Sequence, residues 1–210
     1  MGSMEKLEVN VVTVIGTVAG AFIFDHEVYG EGFYQLELHV ERKSGQVDKL
    51  PVMVSERLMN VDQDLTGKTL AVMGQLRSYN LFGDGKRKLN IFVFAHETKV
   101  LEELEKPVGN EENNAVFLDG FIVKEPTHRR TPLGRDITDL LIAVNRPYGK
   151  SDYIPCIIWG RNAEYAARLG VGTPIKVQGR LQSREYVKKL EDGTEEVRTA
   201  YELSVSKLNV

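Results

Sequence analysis

The chain repeats itself. "NVVTVIGTV", from Asn10, returns as "NAVFLDGFI", from Asn114; "LPVMV" (50–54) returns as "IPCII" (154–158); "GKTLAVMGQLRSYN" (67–80) returns as "GTPIKVQGRLQSRE" (172–185). Gly16 falls on Gly120, Pro51 on Pro155, Gly67 on Gly172 and Gly74 on Gly179. The spacing is 104 residues up to the proline and 105 after it, so one residue was gained between Pro51 and Gly67. Matching glycines and prolines set in matching apolar patterns imply two copies of one domain. A solenoid would repeat every 20–50 residues or so.

The copies are expected over 4–100 and 114–210. Between them, "LEELEKPVGNEENN" (101–114) is an acidic turn followed by Pro107, Gly109 and a polar run, so 101–113 reads as an exposed linker. Each copy has about 95 residues, small but sufficient for a single core. In the second copy, apolar alternation predicts strands at 115–124, 138–145, 153–159, 174–186 and 199–208. Asp192-Gly193 before the last strand is a hairpin-turn signal. "RNAEYAARLGVG" (161–172) is the one helical piece, with Gly170 and Gly172 as stops. Three strands, a short helix and a two-strand hairpin make the layout of an oligonucleotide/oligosaccharide-binding (OB) barrel. The expected fold is therefore all-β with short helices, as two tandem five-stranded OB barrels.

Catalytic chemistry finds no residues here. His26, His39, His96 and His128 are isolated and far from the lone Cys156, so neither a metal set nor a Cys–His pair is expected. No serine lies in a G-x-S-x-G context. "GDGKRK" (83–88) lacks phosphate-loop spacing and reads as a charged hairpin tip. We expect no enzyme activity, no cofactor and no metal. One cysteine allows no internal disulfide, no apolar run approaches the roughly 20 residues of a membrane span, and no signal-peptide pattern opens the chain. The expected location is cytoplasmic. A net charge of −3 excludes a generally basic nucleic-acid coat but allows a local basic face.

Such a face is suggested by "IAVNRPYGKSDYIPCIIWG" (142–160). Along the strand, Ile154, Cys156 and Ile158 point one way, while Tyr153, Pro155, Ile157 and Trp159 point the other. The long strand from Ile175 puts Arg180, Arg184 and Tyr186 outward, and Arg146, Tyr148 and Lys150 border the face from the preceding loop. Rings beside cations suit single-stranded nucleic acid, with bases stacked on rings and phosphates followed by Arg and Lys. The plainer alternative is that these rings pack at a domain or subunit interface. In the first copy, Ser55 stands for Trp159 and Lys49 for Tyr153, leaving Tyr79 and Arg77 as the only outer pair. Residues 1–105 carry 11 Lys+Arg against 16 Asp+Glu, a net of −5, and the rest carry 16 against 14, a net of +2. The first copy is expected to have kept the barrel and lost the nucleic-acid face.

The second copy resembles the bacterial single-stranded DNA-binding protein family. "NAVFLDGFIVKEPTHRRTPLG", "LLIAVNRPYGKSDYIPCIIWGRNAEYAARL" and "VQGRLQSREY" match its successive blocks over nearly all of 114–208. The resemblance implies an OB barrel, assembly of four OB domains and a strand wrapped on exposed aromatics. It implies stacking by Tyr148, Tyr153, Trp159 and Tyr186, and a phosphate contact at Arg161. With two barrels per chain, a homodimer would supply the four. The family usually carries an acidic tail tip that recruits replication and repair enzymes; none follows "SVSKLNV", so that recruitment is not expected. The leading expectation is sequence-tolerant single-stranded DNA binding in replication, repair or recombination. The alternative is a primosome-type accessory protein whose OB domains chiefly contact proteins. The protein partners themselves are not named by the sequence.

Overall fold

A computed structural model of the chain describes residues 9–83, 86–102, 113–190 and 192–210. The first copy builds β1 (Asn10–Val18), β2 (Ile23–Val28), β3 (Glu31–Glu41), β4 (Val47–Ser55), β5 (Thr69–Gly83) and β6 (Lys86–Leu101). The second builds β7 (Asn114–Ile122), β8 (Thr127–Arg130), β9 (Asp136–Asn145), β10 (Ser151–Trp159), β11 (Pro174–Lys189) and β12 (Glu195–Asn209). Five of the six strands close a barrel in each copy. In the first, β1 pairs with β3, β3 with β4, β4 runs parallel to β6, and β6 and β5 lead back to β1. In the second, β7, β9, β10, β12 and β11 close the same circuit, with β10 parallel to β12. That is the OB topology. The sixth strands, β2 and β8, are short ribbons that, among the described residues, pair only with β3 and β9 respectively.

The repeated glycines explain themselves here. A Cβ on Gly74 would stand 2.0 Å from the Phe94 carbonyl oxygen, and one on Gly179 2.1 Å from that of Ser204. Both sit at a β-bulge where the long strand bends to close the barrel. The first strand of each barrel alternates as expected; Val12, Val14 and Val18 of β1 and Val116, Leu118 and Ile122 of β7 are buried. Cys156 is buried in the core, and burial pushes its thiol pKa up, so it is an inert hydrophobe.

The helix α1 covers only Arg161–Ala166, shorter than its alanine-rich sequence suggests, because Gly170 and Gly172 lie in the turn that feeds β11. Most of the linker assigned to 101–113, and the Asp84-Gly85 tip, lie outside the described residues. No helix among the described residues is long and apolar enough to cross a membrane.

The two barrels share one twelve-stranded sheet, joined by antiparallel pairing of β1 with β7. Val12 lies opposite Val116, its own counterpart in the repeat, and Asn10–Leu118 mirrors Val14–Asn114. The seam therefore obeys a local two-fold symmetry, as an isologous contact between identical subunits would.

Candidate nucleic-acid interface

Two buried carboxylates organise the surface around this seam. Asp48 and its counterpart Asp152 are both fully buried. Asp48 accepts from Arg42 of its own copy (Nε 2.8 Å, Nη2 2.5 Å), and from the Ser183 amide (2.8 Å) and Arg180 (3.4 Å) of the other. Asp152 accepts from the Ser78 amide (2.7 Å) and Arg77 (3.0 Å) of the first copy, and its own copy's Arg146 lies 3.1 Å away. The serines complete the match: Ser78 Oγ accepts from the Tyr153 amide and Ser183 Oγ from the Lys49 amide. Carboxylates without water need such donors, because an unpaired buried charge costs several kcal/mol.

One groove, about 970 Å³, crosses the outer face of the second barrel, and another, about 870 Å³, lies on the first. The floor of the groove on the second barrel runs from Ile157 and Trp159 on β10, across Ser204 on β12, to Arg180 on β11. Ser204 lies opposite both Ile157 and Arg180 in the sheet, so β12 separates the two strands that sequence alternation alone would set side by side. Trp159 is half-buried, and its indole N–H donates to Ser204 Oγ at 3.1 Å, which fixes the ring against the floor. One wall comes from the first copy: Arg42, Gln46, Val47 and Lys49, around the β3–β4 turn. The groove is a composite of both copies.

Six cationic side chains line it, Arg42, Lys49, Arg129, Arg135, Arg180 and Arg184, against Glu185 and Glu202, so its lining is net positive in a net-negative chain. Their commitments differ. Arg42 and Arg180 are tied to Asp48, and burial, with Arg42 beside it, holds Arg180 below the ordinary arginine pKa against the opposing pull of Asp48. Arg129 pairs with Asp139 at 2.6 Å, and that hydrogen bond raises its pKa. Lys49 meets Glu185 at 3.0 Å, with the same upward effect. Arg184 stands 3.9 Å from Glu202 and over the ring of Tyr186. Arg135 has no ion-pair partner among the described residues.

Of the residues singled out from sequence, the groove gathers Trp159, Arg180 and Arg184, with Tyr186 beside Arg184. Arg146 turns to the other groove. Tyr153 is exposed at the opposite end of β10 from Trp159, its backbone tied to Ser78 of the first copy. Tyr148 stands fully exposed in the loop at a positive φ of 64°, and Arg161 is exposed at the start of α1. Arg129, Arg135 and the first-copy wall were missed. The basic run in "THRRTPLGRD" signals the two arginines; nothing local signals that the β3–β4 turn of the first copy folds over the same face.

The first copy's face corrects the expectation of lost aromatics. His26 stacks on Phe33 (5.0 Å between centroids), Phe33 lies 6.0 Å from Phe94, and Tyr79 meets Phe92 edge-on. These rings come from β2, β3, β5 and β6, whereas Ser55 and Lys49, the residues that replace Trp159 and Tyr153, lie on β4. Among the described residues, no group of three or more His, Cys, Asp or Glu side chains could hold a metal.

Comparison with known proteins meets this geometry from two sides. Residues 113–210 match the Single-strand binding protein family. The chain is 38% identical over 80 residues to the single-stranded DNA-binding protein of Oceanobacillus iheyensis (35% of this chain, 50% of that protein). It is 39% identical over 80 residues to single-stranded DNA-binding protein A of Bacillus subtilis (35% and 46%). It thus spans about half the length of the curated relatives it matches. Nearly the whole chain superposes on the single-stranded DNA binding protein of Thermus aquaticus: TM-score 0.73 at 24% identity for the wild type, covering 95% of this chain and 91% of that one. A variant of the same protein gives 0.72 at 25%, covering 95% and 93%.

Proposed function

Because residues 113–210 match the Single-strand binding protein family, we propose that this chain binds single-stranded DNA without strong sequence preference and without catalysis. The observation that carries the reading is the cationic groove floored by Trp159 and Ile157. A flat ring and an aliphatic floor accept any base face, and the flanking cations neutralise the phosphates. Arg135 and Arg184 are the cations most available to phosphate, since Arg42 and Arg180 already serve Asp48. Half-buried Tyr186 and exposed Tyr148 extend the path as platforms, Arg161 adds a phosphate contact, and Tyr153 and Arg146 border it near the first copy. On this reading the chain works in the cytoplasm as a homodimer carrying four barrels, in replication, repair or recombination.

A fluorescence titration with oligo-dT tests it. Trp159 is the sole indole, so its emission should be quenched on binding, and Trp159→Ala should weaken binding by about 1–3 kcal/mol. Full affinity in a folded Trp159→Ala chain would move the tryptophan to a purely structural role.

A further inference from the structure

The groove on the first barrel is the two-fold mate of the one that holds Trp159, yet the same places carry different chemistry. Arg146, from the β9–β10 connection of the second copy, walls it as Arg42 from the β3–β4 turn walls the other. Met53 lies opposite Phe94 in its floor, as Ile157 lies opposite Ser204. Further along the hairpin the second copy sets Arg184 3.9 Å from Glu202. At the matching places the first copy sets Tyr79 against Phe92, with ring centroids 5.7 Å apart. Leu81 then follows Tyr79 on one face of β5, where Tyr186 follows Arg184 on β11. An ion pair has been exchanged for a pair of rings.

Charge changes in the same sense. Arg77 and Arg146 share the buried carboxylate of Asp152, and Asp25, which lines the groove, is engaged by His26 and Gln35. Two guanidiniums against these two carboxylates leave the site near neutral, whereas six cations face two carboxylates in the lining of the other groove. Such a site neither repels phosphate nor draws it strongly. What it offers is ring. Phe94 is already taken up, with the Arg77 guanidinium over it and Phe33 tilted against it. Tyr79 is 42% exposed, and Tyr201 of the second copy reaches the groove beside it.

Continuity indicates what covers this ring. Tyr153 and Arg146, at the border of the DNA path, abut the groove: Arg146 lines it, and the Tyr153 amide donates to Ser78 Oγ in its lining at 2.8 Å. We propose that the first barrel takes bases of the same strand, stacked on Tyr79 beside Phe92 and largely without phosphate contacts. The second barrel then holds phosphates as well as bases, and the first holds bases alone. The proposal rests on the reading above only for its ligand.

Fluorescein-labelled oligo-dT probes of about 10 and about 30 nucleotides test it by anisotropy on the full chain, the shorter within the roughly 4–16 nucleotides that one OB barrel covers. Tyr79→Ser should weaken the longer probe at least about fivefold, the loss of one stacked base. The shorter probe, its quenching of Trp159 and the salt slope of either probe should stay as in wild type. Tyr79→Phe, which keeps the ring, should bind like wild type. A longer probe carrying iododeoxyuridine should cross-link to Tyr79 or Phe92 under ultraviolet light. Undiminished affinity of Tyr79→Ser for the longer probe, or cross-links confined to the second barrel, overturns the proposal and leaves the rings to a protein partner. A loss shared by Tyr79→Phe, or a lower salt slope in Tyr79→Ser, overturns it as well, since neither is the mark of a stacking ring. If Trp159 is not quenched and Trp159→Ala keeps full affinity while Tyr79 cross-links, the reading of the second groove fails and this one stands.

Discussion

At Gly74 and Gly179 a hydrogen atom is all the barrel allows, since a Cβ at either position would overlap a carbonyl oxygen of the neighbouring strand, Phe94 in one copy and Ser204 in the other. The contact is backbone against backbone, so no side chain can rotate away to relieve it. Gly179→Ala should therefore lower stability by about 1–3 kcal/mol or more, as overpacking does, and urea unfolding followed by circular dichroism would measure it. A midpoint unchanged from wild type would mean that the bulge can open without cost. The same scale explains Trp159. Its ring is held at one edge by Ser204, so a base would meet a platform already fixed in place, and little ordering entropy would be lost on stacking.

Among the elements, the pairs formed by each β3–β4 or β9–β10 connection with the long strand of the other copy hold the barrels in register. Removing one partner of a buried ion pair typically costs about 3–5 kcal/mol. Asp48→Ala should cost that much, because Arg42, Arg180 and the Ser183 amide would all lose their acceptor. Asp152→Ala should behave alike through Arg77, Arg146 and Ser78. Thermal unfolding of the two variants checks both, and a loss under about 1 kcal/mol in either would show that water replaces the missing oxygen atoms. Barrel strands, the hairpin at Asp192-Gly193 and the tandem plan were legible in the sequence, because alternation and glycine placement are local. The clamps were not legible. Asp48 and Asp152 fall at matching places in the repeat, yet nothing in their neighbours distinguishes a buried aspartate from an exposed one at a turn. The backbone donors that reach them from the other copy, Ser183 for Asp48 and Ser78 for Asp152, lie 135 and 74 residues away in sequence. For the same reason Arg146 and Arg180 read as phosphate contacts, when both also neutralise a buried carboxylate.

For the molecule as a whole, the proposed DNA path along the composite groove would tie affinity to a residue of the acidic half. Lys49→Ala should reduce the log–log salt slope of oligo-dT binding by about 0.7, the value for one phosphate contact on a single strand, although Lys49 belongs to the first copy. An unaltered slope would confine the phosphate contacts to the second barrel. Light scattering should give a mass near twice the 23.6 kDa of the chain; a mass at 23.6 kDa, with or without DNA, would rule out the homodimer. The pairing of β1 with β7 has a different consequence. Two separate barrels meeting at such a seam would come apart on dilution, and their stability would depend on how much protein a cell contained. Here both edges belong to one polypeptide, so closing the seam is a unimolecular event, governed by the effective concentration of one edge about the other. It is as complete in a nanomolar solution as in a millimolar one.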